Sequence, residues 1–335
     1  MSGGALAVLD QLREAGATGL SGARLSGSLG VSRAQIWKHV EALRARGYSI
    51  EGEPGGGYRL VGLPDRLYPE QIHAGLATRW LAREIHHFEE TDSTNRVALE
   101  LARQGAADGT TVVAEGQTAG RGRLGRSFFS PPHLNLYTSI VLRPRLDTAE
   151  APTLILAAGL AVAEAVAATV EDDSAVEIKW PNDVLLGGLK TSGILMELGA
   201  EATRVAFGVL GIGVNLNVDR SSFPPDFRNL ATSLSSYGRR EIDRVGFAQR
   251  LYHGLEEVLD VHAAHGFAAL RPRFESRFRM KGRPIRVRDM DGAETAGRCA
   301  GIDSDGALLL EEDGGRLRRV VAGDVTIVKR GGTRS

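Results

Sequence analysis

Residues 110–126, Thr110-Thr-Val-Val-Ala-Glu-Gly-Gln-Thr-Ala-Gly-Arg-Gly-Arg-Leu-Gly-Arg126, place a β-branched segment ahead of a loop in which glycine and arginine alternate. The β-branched residues at 110–114 predict a strand. Glycines in the loop at 120–126 let backbone N–H groups approach an anion closely, and arginines add permanent charge and a planar fork of donors. The pattern predicts a strand followed by a polyanion-binding loop, with a solvated basic turn as the alternative.

The surrounding residues, 68–278, alternate helical and β-rich segments. Helices are predicted at 95–104, 154–170 and 245–262, and further strands at 136–142, 176–180, 183–186, 193–198 and 205–218. Because short turns join several of these strands, we predict an α/β or α+β domain with a mixed sheet, which differs from a simple doubly wound fold. The very apolar helix at 154–170 contains Glu164 and many alanines, so we expect it to be buried and not to span a membrane.

The N-terminal residues 1–63 have the pattern of a winged helix-turn-helix domain. A first helix ends near Gly16, a second lies at 20–29, and Ser32 is a good N-cap for a third. In that third helix Ile36 and Val40 lie on one face. Strands at 48–50 and 58–60 flank the glycine-rich residues 54–57, which predicts the β-hairpin that forms the wing.

The C-terminal residues 279–330 predict a small β-barrel of SH3-like size. Short strands are expected at 284–288, 296–301, 307–311 and 317–321, separated by Asp-Gly turns. Residues 331–335 are predicted to form a frayed tail. The chain therefore has three predicted domains, at 1–63, 68–278 and 279–330.

Composition excludes several classes of function. Lys and Arg total 41 and Asp and Glu total 41, so any nucleic-acid binding must come from a local patch. Cys299 is the single cysteine, which excludes an internal disulfide and thiolate zinc clusters and indicates a reducing compartment, the cytoplasm. Residues 1–10 lack the pattern of a signal peptide. No Gly-Lys dipeptide occurs, so there is no P-loop.

Polar side chains lie at two places beside the predicted loop. Ser93, Thr94 and Asn95 precede a helix, where hydroxyl and amide groups meet the positive end of the helix dipole. A plain N-cap is the alternative for this segment. Gln117 lies just before the glycine–arginine loop, where it could bind an amide-like group.

Three further segments supply charge and open space. Lys179-Trp-Pro-Asn-Asp183 brings a lysine and a carboxylate within five residues, and Lys190 lies in a predicted hairpin. The run at 211–217 contains two glycines and two asparagines, which suits close approach of a ligand ring or a β-bulge. Together the segments suit attack of a carboxylate on the α-phosphate of a nucleotide, with the protein supplying position and charge neutralisation.

With these motifs in this order, the sequence resembles the biotin protein ligase family, specifically its bifunctional ligase and biotin operon repressor branch, over nearly the whole chain. The resemblance implies a central domain similar to class II aminoacyl-tRNA synthetases. It implies that biotin and ATP form biotinyl-5′-adenylate and pyrophosphate. It also implies Mg²⁺, whose ligands are not assigned. The biotinyl group then passes to a lysine of a biotin carboxyl carrier domain of a carboxylase. Operator DNA and homodimerisation of the adenylate-bound protein are implied as well.

Carried over by position, the resemblance implies three sets of site residues. The biotin-binding set is Ser93, Thr94, Asn95, Gln117, Gly120, Arg121, Gly122, Arg123, Lys190 and Gly193. The ATP-binding set is Arg121, Arg123, Arg126, Phe128, Lys179, Asn182, Lys190 and Asn215. The catalytic set is Lys190, Asp183, Arg121 and Arg123. Lys190 would stabilise charge during adenylation, Arg123 would retain the adenylate, and Asp183 would orient the acceptor lysine or accept its proton.

Repression would require DNA contacts from the third N-terminal helix and the wing. The predicted contacting residues are Ser32, Arg33, Gln35, Lys38, His39 and Arg59. In residues 1–61 seven basic side chains face five acidic ones, a net charge of +2, so a monomer should bind weakly and a dimer on a two-part site is expected. A vestigial or protein-binding winged helix is the alternative.

Two departures from the family pattern and two rival functions stay open at this point. Phe128 stands where the best-known repressor has a tryptophan, and its adenine-capping tryptophan is replaced around Ala231, which implies weaker adenylate binding and dimerisation. The rival functions are a lipoate or acyl ligase of the same architecture and a biotin-sensing regulator without ligase activity.

Overall fold

The computed structural model describes residues 1–53, 57–289 and 291–328, and the chain divides into two compact units, Met1–Arg66 and Leu67–Ser335. The helices are α1 Gly3–Ala15, α2 Gly22–Leu29, α3 Arg33–Ala45, α4 Pro69–Ala74, α5 Thr94–Arg103, α6 Pro152–Val170, α7 Pro225–Arg228, α8 Leu234–Gly238 and α9 Arg244–Arg277. The strands are β1 Ser49–Glu53, β2 Gly57–Gly62, β3 Ile85–Thr91, β4 Thr111–Gln117, β5 Leu136–Leu142, β6 Val176–Lys179, β7 Asp183–Leu186, β8 Leu189–Glu201, β9 Arg204–Val214, β10 Pro284–Arg288, β11 Glu294–Ile302, β12 Leu308–Glu311, β13 Leu317–Val320 and β14 Asp324–Ile327.

The first unit has the predicted three helices and hairpin. The hydroxyl of Ser32 accepts a hydrogen bond from the N–H of Gln35 and starts α3, as the N-cap prediction required. The apolar face of α3, Ile36, Val40 and Leu43, is fully buried. Strands β1 and β2 pair antiparallel, and the predicted turn residues 54–56 lie outside the described part of the chain.

The second unit is built on a seven-stranded sheet in the order β3-β4-β5-β9-β8-β7-β6. Strands β3 and β4 are parallel, and every other neighbouring pair is antiparallel, so the predicted mixed sheet is confirmed. Side chains alternate across the sheet: Leu210 and Ile212 join the large core under α6 and α9, whereas Val209 packs on the opposite face with Ala98 of α5. The α5 face also carries the candidate functional site.

Helix α6 is long and apolar enough to cross a membrane by length and composition. Of its most apolar window, 72% is buried inside the protein, where it packs with α9 against the sheet. The prediction of a buried core helix is therefore confirmed.

Sequence reasoning missed some elements and shortened others. Strand β3 and helix α4 were not predicted, and β8 is longer than the predicted strand at 193–198. Helix α9 continues well beyond residue 262, although its backbone breaks at Gly266, where φ is 69°. Strand β9 ends at Val214, so the asparagines that follow it lie in a loop and not in the predicted strand at 205–218.

The C-terminal strands form a five-stranded antiparallel sheet in the order β13-β12-β11-β10-β14. The glycine of each Asp-Gly turn has positive φ, 87° at Gly292, 81° at Gly306 and 92° at Gly314, which explains why glycine is needed there. This sheet shares one apolar core with the seven-stranded sheet, and the indole Nε1 of Trp180 donates to the carbonyl oxygen of Gly306 at 3.0 Å. The domain boundary at 278/279 thus stays a prediction, and the tail at 331–335 lies outside the described residues.

Candidate functional site

A pocket opens on the α5 face of the seven-stranded sheet, beside the N-terminus of α5. Strands β5, β8 and β9 form its floor, and the glycine–arginine loop forms its rim. Its lining brings together predicted site residues from six separate segments: Ser93, Thr94, Asn95, Gln117, Arg121, Gly122, Arg123, Phe128, Asn182, Lys190 and Gly193. Tyr137, Thr138, Ile194, Leu195, Gly211, Ile212 and Gly213 complete the lining.

One half of the pocket is organised by neutral hydrogen bonds. The Oε1 of Gln117 accepts from the backbone N–H of Thr94 at 2.9 Å, and its Nε2 donates to the hydroxyl of Ser130 at 2.9 Å. Ser139 Oγ donates to Thr94 Oγ1 at 2.8 Å from the neighbouring strand β5. These groups are buried or half-buried, so the network holds their positions, and a ligand meets a preformed set of amides and hydroxyls.

The glycines of β8 and β9 make room on the pocket floor. A Cβ at Gly213 would lie 2.6 Å from the ring of Phe128, and one at Gly211 would lie 1.9 Å from Oδ1 of Asn95. The two glycines therefore allow side chains to approach the backbone closely, and the approach of a ligand ring at 211–217 stays a prediction. The close neighbours in this structure are the protein's own Phe128 and Asn95 side chains.

The glycine–arginine loop folds back on itself as a tight hairpin. Arg121 and Ser127 form an antiparallel bridge, the N–H of Gly122 donates to the carbonyl of Arg126 at 2.7 Å, and the N–H of Phe128 donates to Gly120 at 2.9 Å. Gly120 also lies against backbone, since a Cβ there would meet the carbonyl oxygen of Phe128 at 2.6 Å. The hairpin aims successive arginines in different directions.

Each arginine of the loop contacts a different part of the second unit. Arg121 Nη1 lies 3.2 Å from Glu197 Oε1 on β8. Arg123 donates to Asn182 Oδ1 and to the carbonyl of Gly323, both at 3.1 Å. Arg126 pairs with Asp324 at the start of β14.

These three contacts hold the loop over the pocket. Arg121 and Arg123 line the pocket, whereas Arg126 points to the C-terminal sheet and does not line it.

The other half of the pocket is charged. Asp183 is 14% exposed, with Oδ1 2.7 Å from Lys190 Nζ and Oδ2 3.4 Å from Lys179 Nζ. Burial raises the pKa of Asp183, but the two ammonium groups outweigh burial and hold that pKa below its usual value. Lys190 is 37% exposed and lines the pocket, so it can exchange the aspartate for an anionic ligand.

Five predicted site residues lie outside the pocket lining in this structure: Gly120, Arg126, Lys179, Asp183 and Asn215. Lys179 and Asp183 are next to it, through Lys190. Asn215 is buried just after the end of β9. Its Nδ2 donates to the carbonyl of Thr232 at 3.2 Å and so connects this position to the segment between α7 and α8. The same segment pairs with the pocket lysine, because the N–H of Lys190 donates to the carbonyl of Leu230 at 2.8 Å.

Sequence reasoning missed a buried charge cluster behind the site. Glu115 on β4 and Arg244 at the start of α9 are both fully buried, with Oε2 and Nη1 2.9 Å apart. The backbone N–H of Leu67 donates to Glu115 Oε1 at 2.7 Å, and His87 Nε2 lies 3.4 Å from that oxygen. Burial raises the pKa of Glu115, but these hydrogen bonds and the Arg244 charge lower it to about 2.

In the first unit, the exposed face of α3 carries a basic and aromatic patch. Ser32, Arg33 and Lys38 are exposed, and Trp37, which was not predicted, is 54% exposed between them. Trp37 therefore lies away from the buried face of α3, which is formed by Ile36, Val40 and Leu43.

Three other predicted DNA-contacting residues already have protein partners. His39 lies against Gly4 of α1, where an added Cβ would come 2.5 Å from Nε2, and its Nε2 lies 3.2 Å from Gln35 Nε2. Its imidazole therefore points inward from the patch. Arg59 pairs with Glu51 across the wing. Ser32, Arg33 and Lys38 thus belong to the exposed patch on α3, whereas the imidazole of His39 does not.

The sequence did not assign any ligands for Mg²⁺. Within residues 1–53, 57–289 and 291–328, no three His, Cys, Asp or Glu side chains come close enough to hold a metal ion. Protein ligands for Mg²⁺ therefore stay unassigned.

Comparisons with known proteins agree with this geometry. The central part, residues 87–215, matches the model of the biotin/lipoate A/B protein ligase family, residues 5–59 match a helix-turn-helix domain, and residues 282–328 match the biotin protein ligase C-terminal domain. The bifunctional ligase/repressor BirA of Bacillus subtilis (strain 168) is 37% identical over 96% of this chain and 97% of its own length.

Two more relatives carry the same activity in their names. The biotin–[acetyl-CoA-carboxylase] ligase of Mycobacterium tuberculosis is 35% identical over 78% of this chain and 95% of its own length. A solved biotin protein ligase from Aquifex aeolicus, in complex with biotin and ATP, is 27% identical with a TM-score of 0.64, and the match covers 74% of this chain and all of that one. The chain belongs to the biotin/lipoate A/B protein ligase family, and within it to the bifunctional ligase/repressors.

Proposed function

We propose that this protein is an ATP-dependent biotin–protein ligase that also binds DNA as a repressor. The observation that carries the ligase function is a single pocket with a neutral half for the vitamin and a charged half for phosphate. Thr94, Gln117 and Asn95 present amides and hydroxyls suited to the ureido ring of biotin, while Lys190, Arg121 and Arg123 present cations at the other end.

In the first reaction, a carboxylate oxygen of biotin attacks the α-phosphorus of ATP. A bond forms between that oxygen and phosphorus, the bond from the α-phosphorus to the bridging oxygen breaks, and pyrophosphate leaves. Lys190 would leave Asp183 for the reacting oxygens, where its charge stabilises the negative charge that builds up in the transition state. Arg121 and Arg123 would bind the phosphates and keep the two reactants aligned.

In the second reaction, the ε-amine of an acceptor lysine attacks the acyl carbon of the adenylate, the bond from that carbon to the phosphate oxygen breaks, and AMP leaves. The proton lost by the amine passes to solvent. The acceptor is a carrier domain of a biotin-dependent carboxylase. Asp183 suits the orientation of the incoming ammonium, because its depressed pKa makes it a good ion partner and a weak base.

A substrate comparison tests the ligase function against the lipoate alternative. The full-length protein is incubated with MgATP and either biotin or lipoate, and pyrophosphate release is measured. We expect turnover with biotin and none with lipoate. Turnover with lipoate alone would overturn the substrate, and binding of biotin without pyrophosphate release would leave a sensor that is not a ligase.

A second function, DNA binding, is favoured by the patch on α3. Arg33 and Lys38 can contact phosphates or base edges, and the exposed Trp37 can pack against a thymine methyl group in a major groove. The modest charge of the unit favours a homodimer on two half-sites. We propose that this dimer forms when the adenylate is bound. The protein would then act in the cytoplasm, where biotin, ATP, acceptor and DNA are all present.

A gel shift with DNA from upstream of biotin-synthesis genes tests this second function. The protein is titrated with and without biotin plus ATP, with a scrambled duplex as control. We expect a shift of the specific duplex that tightens when both substrates are present. Equal binding of both duplexes would contradict a repressor role and leave the ligase function intact.

A further inference from the structure

Asn135 is a fully buried amide that lies behind the pocket and does not line it. It directly precedes β5, the strand that carries the pocket-lining residue Tyr137. Its Oδ1 accepts from the backbone N–H of Leu216 at 2.8 Å, and its Nδ2 donates to the hydroxyl of Tyr137 at 3.0 Å. One side chain therefore connects the wall of the pocket to the segment that follows β9.

These hydrogen bonds are consistent in one direction. A backbone N–H can only donate, so the amide of Asn135 must turn its oxygen to Leu216 and its NH₂ to Tyr137. The hydroxyl of Tyr137 then accepts from Asn135 and donates its own proton to the carbonyl of Pro131 at 2.9 Å. Burial raises the pKa of Tyr137, so the phenol keeps this proton. The orientation of one amide thus determines the orientation of the hydroxyl.

Tyr137 therefore contributes its ring to the pocket, while its hydroxyl is bonded within the protein. Both polar partners of the hydroxyl, Asn135 and Pro131, are protein groups. Across the sheet Tyr137 pairs with Gly213, which also lines the pocket and has no side chain to cover the ring. An aromatic ring offers a large apolar surface, which suits the carbon skeleton of biotin beside the amides and hydroxyls of the neutral half.

The second contact of Asn135 fixes the chain just beyond β9. That strand ends at Val214, and the N–H of Leu216 is paired with the Asn135 side chain in place of a backbone carbonyl. Asn215, which the sequence predicts to bind the nucleotide, lies between these two residues. A buried N–H that lost its acceptor would cost free energy, so this contact also holds the position of Asn215.

We propose that Asn135 is a positioning residue of the ligase, which holds the ring of Tyr137 as the wall of the biotin-binding half of the pocket. It acts through Tyr137 and does not touch substrate. The inference rests on the proposed ligase function, in which biotin occupies the neutral half. It predicts that loss of Asn135 weakens biotin binding while the chemical step is little changed, because Lys190 and Asp183 lie in the charged half.

Kinetics of the full-length protein with biotin and MgATP test the link to Tyr137. For Asn135→Ala we expect KM for biotin to rise about three- to tenfold with kcat nearly unchanged, since the phenol loses the donor that orients it. Tyr137→Phe keeps the ring and removes the hydroxyl, so KM should rise by a similar factor. In the double variant the two effects should not multiply, because each single change removes the same hydrogen bond.

Tyr252→Phe is the matched control for a purely structural effect. Tyr252 is a fully buried phenol on α9, in the core beneath the sheet, and its hydroxyl lies 2.8 Å from Thr138 Oγ1. This change also removes one buried phenol hydroxyl, but on the face of the sheet opposite the pocket. The free energy of unfolding, measured by urea denaturation, should therefore fall, while KM for biotin stays at the wild-type value.

Three results would overturn the proposal. A raised KM in Tyr137→Phe with a wild-type KM in Asn135→Ala would mean that the hydroxyl contacts substrate directly. Effects that multiply in the double variant would mean that Asn135 acts by another route. A large fall in kcat at unchanged KM would place Asn135 in the chemistry itself.

Two further comparisons keep the test decisive. If Asn135→Ala does not fold, Tyr137→Phe is compared with Tyr252→Phe, and equal KM values in these two variants would overturn the proposal. If wild type released no pyrophosphate with biotin, the proposed function would fail. The coupling of Asn135→Ala and Tyr137→Phe in urea denaturation would then still decide whether the two side chains are linked.

Discussion

Glu115 and Asp183 are two carboxylates of one sheet, both with a pKa held below its usual value by neighbouring cations and hydrogen bonds. They differ in what surrounds them. Glu115 and its partner Arg244 are fully buried, and the arginine cannot lose its charge. Asp183 pairs with two lysines at the edge of the pocket, and one of them, Lys190, is 37% exposed.

The comparison shows how burial separates a structural ion pair from one that we propose acts in the reaction. No substrate reaches Glu115, so its contacts with Arg244, His87 and Leu67 serve to hold α9 and the start of the second unit against β4. Lys190 can leave Asp183 when an anion enters the pocket, because solvent and ligand reach it. The same attraction thus contributes to stability at one site and, in the proposed mechanism, to charge neutralisation in a reaction at the other.

The largest effect is expected at the buried pair. Glu115→Gln removes the carboxylate that faces a fully buried guanidinium, so the free energy of unfolding should fall by about 3–5 kcal/mol. Urea denaturation measures this change, and Glu201→Gln is the exposed control. If Glu115→Gln is as stable as wild type, the Glu115–Arg244 pair has no structural role, and its contrast with the Asp183–Lys190 pair is wrong.

Acid sensitivity should follow from the same carboxylate. The pKa of Glu115 is about 2 in the folded protein and 4.5 in an unperturbed carboxyl, so folding gains stability on the order of 3 kcal/mol above pH 4.5. That contribution is lost as pH falls from about 4.5 toward 2. Unfolding free energies across this window should decline less steeply in Glu115→Gln than in wild type. Parallel curves would mean that other carboxyls cause acid unfolding.

For the Asp183–Lys190 pair we expect the opposite pattern, a large effect on activity and a small effect on stability. Lys190→Ala removes the cation proposed to stabilise the reacting oxygens, so the adenylation barrier should rise by about 2–4 kcal/mol, by analogy with loss of an oxyanion-hole donor. Stability should change little, because the lysine is partly exposed. Pyrophosphate release and urea denaturation of one preparation measure both effects. Near-normal pyrophosphate release would remove Lys190 from the mechanism.

The smallest of these effects is expected at Arg123, which we propose retains the adenylate intermediate and does not take part in forming it. Arg123→Gly loses charge-assisted hydrogen bonds worth about 1.5–3 kcal/mol, so the adenylate should escape about 10- to 100-fold faster and label bystander lysines. Streptavidin blots of a reaction with added serum albumin measure this labelling, with Arg145→Gly, an exposed arginine outside the pocket, as control. Unchanged selectivity for the acceptor would refute the retention role.

Much of the fold could be predicted because its signals are local. Ser32 caps α3 as expected, Ile36 and Val40 mark the buried face of that helix, and the Asp-Gly turns delimit the C-terminal strands. Strand β3 was missed because its sequence, Ile85–Thr91, carries histidines and glutamates and lacks a clear alternation. Its place at the sheet edge beside β4 comes from pairing, which periodicity does not record.

The sequence predicted which residues form the candidate site better than it predicted the contacts among them. The motifs placed Thr94, Gln117, Arg123 and Lys190 in one pocket, where they are found. Partners distant in the chain were not visible, since Glu197 meets Asn95 across 102 residues and Arg123 meets Gly323 across 200. Trp37 was overlooked because an aromatic residue in a helix is more often buried than exposed.

The order of motifs along the chain was sufficient to determine the kind of reaction, because loop glycines, arginines and a lysine–aspartate run each carry chemistry in the residue types themselves. Tertiary structure alone decided which charges are structural and which can move. Glu115 and Asp183 look alike in sequence, and we propose different roles for them because one is buried beneath α9 and the other pairs with a lysine that lines the pocket. Burial depends on how distant elements pack, and local sequence does not contain that information.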